Sequence, residues 1–162
     1  MQFYTVKILL IQIDKTQDGY LIEGIDIYTK RLKNYITFDI VTINVPKNIR
    51  QRTFNEQKVE EGKLIFSQIL ADDYLILLDE NGIEFTSEKF SKFILQKQNA
   101  SIKRIVFIIG GPFGFSEEIY KRANYKIALS QLTFSHQMVR LFFLEQLYRA
   151  FTILKGEKYH HV

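Results

Sequence analysis

Apolar residues recur along this chain in two rhythms, and the alternation between them outlines the fold. Runs rich in β-branched and apolar residues at FYTVKILLI (3–11), TFDIVTIN (37–44), DYLILLDENG (73–82), KRIVFII (103–109) and YKIAL (125–129) predict strands. The third is expected to end in a turn at Asn81-Gly82. Between them, Leu21, Ile25, Tyr28 and Leu32 return at helical spacing and predict a helix from Asp18 to about Tyr35, with Gly24 inside it. A second helix, from about Asn55 to Ala71, is expected to bury Val59, Phe66 and Ile69, with Leu70. SEKFSKFILQ predicts a third, capped by Thr86 or Ser87. A short helix opens at Ser116, where Glu117 and Glu118 suit the positive end, and the last long one begins after Ser135. VPKNIRQRTFNEQK (45–58) has no clear period and reads as a long mobile loop carrying Lys47, Arg50 and Arg52. Such alternation predicts one α/β domain over residues 1–162 with a mainly parallel sheet.

The last helix departs from the usual amphipathic pattern. Glu145, Gln146, Arg149 and Thr152 form a narrow polar side, while Val139, Leu141, Phe143, Leu144, Leu147, Tyr148, Phe151 and Leu154 fill more than half the circle. A helix with so wide an apolar arc is either central in the domain or shared with a second copy, and a homodimer is the expectation. Arg140 falls within that arc, one turn after His136, so it must find a partner; a buried ion pair is the plainer reading and catalysis the sharper one.

Glycine is concentrated where the fourth strand ends. In IVFIIGGPFGFSEEIY (105–120), Gly110, Gly111 and Gly114 stand with Pro112 just before a helix start. No lysine follows as a P-loop demands, and the spacing GG-x-x-G is not the dinucleotide fingerprint G-x-G-x-x-G. Both phosphate readings are therefore weak. A tight turn explains one such glycine; three with a proline, at a strand's carboxyl end, point to a flat ligand lying against peptide groups.

Composition narrows the classes further. No run approaches the roughly 18 apolar residues of a membrane span, and Gln12 and Asp14 interrupt the first apolar stretch, so a soluble cytoplasmic chain is expected. With no cysteine there is no disulfide, zinc-thiolate site or thiol nucleophile. The net charge of +4 is unevenly placed: from Tyr120 onward seven Lys/Arg face two acids, while the rest of the chain carries 15 bases and 16 acids. All three histidines, His136, His160 and His161, lie in that same quarter. It is either an ordinary solvated surface or a face for a polyanion.

Taken together, FIIGGPFGFSEEIYKRANYKIALSQLTFSHQMVR, EQLYRA, KGEKYHH, LLDENGIEFTSEKFS and the opening KILLIQIDKTQDGYLIEGIDIYTKRL resemble the bacterial ribosomal RNA large-subunit methyltransferase H family, of the SPOUT class, over nearly the full length. Departures fall at Ile11-Gln12-Ile13 and Phe113-Gly114-Phe115. The resemblance implies a SPOUT-type α/β knot with a C-terminal trefoil, a homodimer whose active site draws on both subunits, and S-adenosylmethionine as methyl donor without a metal. It implies 23S ribosomal RNA within the ribosome as substrate, with N3-methylpseudouridine in helix 69 as product. Cofactor contacts carry over to Leu78, Gly110, Leu129, Ser130, Gln131, Leu132, Thr133 and Phe134. Candidates for the chemistry are His136, Arg149, Tyr159, His160 and His161, with Arg149 on a phosphate or developing oxyanion and the tail positioning the base. The alternatives are a non-catalytic RNA-binding module built on the basic last quarter, and an enzyme that takes a nucleotide on the glycine loop.

Overall fold

The computed structural model describes residues 5–161, so the expected strand start at Phe3 and Tyr4 lies outside the described residues. Five strands form one parallel sheet in the order β2-β1-β4-β3-β5: β1 (Lys7–Ile13), β2 (Thr37–Ile43), β3 (Tyr74–Glu84), β4 (Arg104–Ile109) and β5 (Tyr125–Ala128). Parallel strands covered on both faces read as near-continuous apolar runs. Accordingly the central β4 is buried from Ile105 to Ile109.

Helices cover both faces. On one, α1 (Gly19–Leu32), α4 (Ser87–Gln98) and α6 (Met138–Leu154) pack over Ile8, Leu10, Ile76, Ile105 and Phe107. On the other, α3 (Phe54–Phe66) and α5 (Glu117–Arg122) cover Leu9, Ile11, Leu75, Leu77, Val106 and Ile108. Alternate residues of each strand thus feed opposite cores, as the two-residue strand repeat requires. Thr86, the third helix's cap, accepts from the Lys89 amide at 3.2 Å, and Ser116 accepts from Ile119 at 3.4 Å at the head of α5.

The width of the apolar arc on α6 follows from its place in the middle of its layer. It runs between α1 and α4 against the sheet, and Phe143, Leu144, Leu147, Ala150 and Phe151 are buried there. Thr152, assigned to the polar side, is also buried, with its hydroxyl donating to the Arg149 carbonyl at 2.7 Å. Of the two explanations for the arc, the central helix is the one the chain displays. At Gly24 a Cβ would stand 2.9 Å from Leu141 Cδ1, so glycine in mid-helix lets α1 approach α6 closely.

Three expectations are corrected. Residues 45–58 are not a long loop: Pro46 opens a short helix α2 (Lys47–Arg50), and Thr53 with Glu56 forms a reciprocal capping box at the start of α3. α3 ends at Phe66, with Leu70 exposed beyond it, and buries Gln57, Glu61, Gly62 and Ile65, leaving Val59 and Phe66 exposed. It is rotated this way because Glu61 and Gln57 both bond to Arg50, which also pairs with Asp14. The third strand does not turn at Asn81-Gly82; it continues to Glu84 with a shift in register against β5 between Leu78 and Ile83. A Cβ at Gly82 would lie 2.6 Å from the Ile127 backbone, a contact only glycine permits.

Candidate methyl-donor site

A cavity of about 490 Å³ opens at the carboxyl ends of the neighbouring strands β4, β3 and β5. That is within the usual size of a small-ligand site and at the edge of an α/β sheet where ligands bind. Three segments wall it: Leu78 to Asn81 after the paired part of β3, Gly110 to Phe115 after β4, and the stretch following β5 that runs into α6. Of the residues expected to hold the cofactor, Leu78, Gly110, Leu129, Ser130, Leu132, Thr133 and Phe134 all line it. Gln131 does not; it is exposed beside them.

The glycines owe their places partly to packing. Gly114 has φ +83°, and its amide donates to the Gly111 carbonyl at 3.2 Å, closing a tight turn. A Cβ at Gly111 would come 2.7 Å from Glu61 Oε1, within the buried Arg50–Glu61 pair. Gly110 lies under the Phe115 ring, where a Cβ would stand 3.0 Å from Cε1. The loop is thus both a turn the chain needs and a wall the cavity uses.

Charge in the lining is one-sided. Asp79 and Glu80 stand at the rim, and no Lys or Arg is among the lining residues. Asp79 accepts from the Tyr120 hydroxyl at 2.5 Å and from the Asn81 amide at 2.8 Å. Burial, with that carboxylate beside it, pushes the Tyr120 phenol up to about 12. His136 lines the far side; burial, then the Arg140 guanidinium, holds its imidazole below the ordinary value. Asp79, Tyr120 and Phe113 were missed from sequence, although Asp79 directly follows Leu78.

Arg140 is completely buried, yet among the described residues it is in no ion pair. Its guanidinium donates to the carbonyls of His136 (3.0 Å), Asp14 (2.9 Å) and Ile13 and to the Thr16 hydroxyl (2.9 Å). It fastens the first turn of α6 to the end of β1. Arg50, expected on a mobile loop, is likewise held, by Asp14 and Glu61.

The remaining candidates gather elsewhere. Arg149 donates to Glu145 Oε1 at 2.5 Å and to His160 Nδ1 at 3.1 Å, and lies over the Tyr159 ring at 4.8 Å. Since a guanidinium only donates, His160 Nδ1 is the acceptor, and Nε2 carries the hydrogen toward Glu88 Oε1 at 3.1 Å. Tyr159 donates to Glu145 at 3.0 Å. The Glu145 carboxylate raises the Arg149 guanidinium further above its ordinary value, and His160 lowers Glu88. His161 is exposed. None of these residues lines the cavity, which only His136 of the chemical candidates reaches.

Comparison with known proteins sorts these features. Residues 6–160 match the family model described as "Predicted SPOUT methyltransferase". A protein named ribosomal RNA large subunit methyltransferase H from Cytophaga hutchinsonii is 56% identical over 156 residues, covering 96% of this chain and all of its own length. The chain belongs to the ribosomal RNA large subunit methyltransferase H family. Members with that name from Christiangramia forsetii and Bacteroides fragilis are 54% and 45% identical, again across 96% of the chain and 99% of their own length. Two solved structures share the fold at low identity. A probable methyltransferase from Bordetella pertussis has TM-score 0.54 at 8% identity, covering 92% of this chain and 95% of that one. A probable methylase family protein from Haemophilus influenzae has TM-score 0.51 at 15%, covering 98% and 70%. Membership in the methyltransferase H family carries the SPOUT fold, and the five-stranded parallel sheet between helical layers agrees with it. Among the described residues no helix is long and apolar enough to cross a membrane.

Proposed function

We propose that the chain transfers the methyl group of S-adenosylmethionine to N3 of a pseudouridine in helix 69 of 23S ribosomal RNA, acting as a homodimer on the assembled ribosome. The observation that carries the donor site is the strand-end cavity with two rim carboxylates and no lining Lys or Arg. Such a lining disfavours a phosphate and suits a ligand bearing positive charge. When bound, S-adenosylmethionine supplies an electrophilic methyl group on a sulfonium. Gly110 and the 129–134 stretch, Gln131 excepted, offer peptide groups and close apolar contact to its adenosine and methionine parts.

The acceptor nitrogen must lose its proton, and the resulting anion needs stabilising. Arg149, Tyr159 and His160 are the groups assigned here to that end of the reaction. Because the cluster does not reach its own chain's cavity, the reading pairs each cavity with the partner subunit's tail. Holding both reactants in line is then the main contribution, worth roughly 7 to 11 kcal/mol in well-oriented systems.

The test is to incubate the protein and labelled S-adenosylmethionine with ribosomes from cells lacking this methyl group, then map the modified nucleotide by mass. One methyl on the helix 69 pseudouridine is the expected result; labelling elsewhere refutes the substrate, and no labelling refutes the activity. A non-catalytic RNA-binding module would bind ribosomes but no S-adenosylmethionine.

A further inference from the structure

A second cleft, of about 330 Å³, adjoins the first and shares Pro112, Phe113 and His136 with it. Apart from His136, its polar side chains are already engaged. Arg50 bonds Asp14 and Glu61, and the Gln57 amide donates to the carbonyls of Arg50 (3.3 Å) and Arg52 (2.8 Å). What remains open is aromatic. Phe54, the first residue of α3, is 64% exposed and stacks on Phe113, itself 37% exposed, with centroids 4.0 Å apart and planes 22° from parallel. Neither ring belongs to the two cores.

The same segment displays cations. Lys47 and Arg52 are exposed on either side of the Arg50 anchor, Arg52 in a half-exposed pair with Glu60 at 3.5 Å that a phosphate would replace. A flat π surface flanked by positive charge is how proteins hold unpaired nucleic acid, stacking a base and meeting its phosphates. The Arg50–Asp14–Glu61 linkage, with Gln57 bonded to the Arg50 and Arg52 carbonyls, holds α2 against α3, so the platform is presented on a fixed support.

We propose that Phe54 and Phe113 form a stacking platform for an unpaired base of the RNA next to the acceptor nucleotide, with Lys47 and Arg52 on the adjoining phosphates. The proposal rests on the RNA methyltransferase reading above. Phe54 offers no group that exchanges a proton, and apart from His136 the cleft's polar side chains are bonded to protein groups. It is therefore a positioning residue, whose loss weakens RNA binding more than it slows transfer.

The experiment uses the full chain, unmethylated ribosomes and labelled S-adenosylmethionine. Phe54→Ala is expected to raise KM for ribosomes about tenfold, with kcat within about twofold, in line with the worth of one stacked base. Cofactor affinity and oligomeric state should not change, and Phe54→Trp should restore KM. Because the chain contains no tryptophan, Phe54→Trp also installs a single indole on the platform, excited selectively at wavelengths where the tyrosines do not absorb. A helix 69 hairpin or oligouridylate is expected to quench it. An unchanged KM in Phe54→Ala, separation of the subunits, or no quenching overturns the platform. If the wild-type protein methylates no ribosome, the activity reading fails, and quenching by the two RNAs alone decides the platform.

Discussion

The two arginines of the last helix, Arg140 and Arg149, stand nine positions apart and differ in nearly every physical respect. Arg140 is wholly buried, its donors spent on the carbonyls of His136, Asp14 and Ile13 and the Thr16 hydroxyl, and burial lowers its pKa. Arg149 is part exposed, shares Glu145 with Tyr159, touches a histidine, and has its charge reinforced. An arginine whose donors end on backbone carbonyls and one neutral hydroxyl holds the chain together. One whose partners are titratable side chains near solvent is free to exchange them for a substrate.

Stability separates the two most sharply. Arg140→Met leaves several buried carbonyls without donors and is expected to cost about 3 to 5 kcal/mol, read as a lower urea midpoint. Arg149→Ala should cost less than about 1 kcal/mol, because its ion pair is partly solvated. In kinetics the order reverses: Arg149→Ala should lower methyl transfer about a hundredfold while cofactor affinity measured by calorimetry holds. Full transfer in Arg149→Ala would make the tail cluster merely structural.

Acid titration offers a smaller effect. The His136 pKa is depressed below 6.5 by burial first and by Arg140 second, so the folded chain binds fewer protons than the unfolded one as pH falls past that value. Stability should therefore decline from about pH 6.5 downward until the folded imidazole also protonates. His136→Gln should flatten that slope in urea melts taken across this range. An imidazole midpoint by NMR at or above 6.5 would contradict the burial argument. The smallest effect is at Gly24→Ala. The gain of about 1 kcal/mol in helix propensity is set against displacing Leu141, whose contacting atoms are side-chain ends free to turn, so net stability should move by less than that amount.

Most of the architecture was legible because buried parallel strands announce themselves as apolar runs, and the turns between them as polar breaks. The face of α3 was not, since a pattern reading sends Val59 and Phe66 inward and has no way to know that Arg50 waits for Glu61 and Gln57. Nor was the continuation of β3 through Gly82, where an apparent turn glycine in fact admits a neighbouring backbone. For the site, the glycine loop and the 129–134 stretch were paired through resemblance, and the shared cavity now joins them. Arg140 was flagged correctly as needing a partner. Three of its partners are peptide carbonyls, which every residue carries and no sequence pattern marks.

That clamp also bears on the order in which the molecule assembles. Arg140 reaches Ile13, Asp14 and Thr16 across 124 to 127 residues of chain, so the end of the first strand gains these donors only once the last helix arrives. Contacts so distant in sequence slow folding, because the intervening segment must be ordered before they form. During synthesis the opening strand emerges early and remains incomplete until its final quarter has been made. A chain halted before residue 140 should therefore be readily digested by protease over its first strand, however well the middle of its sheet has formed.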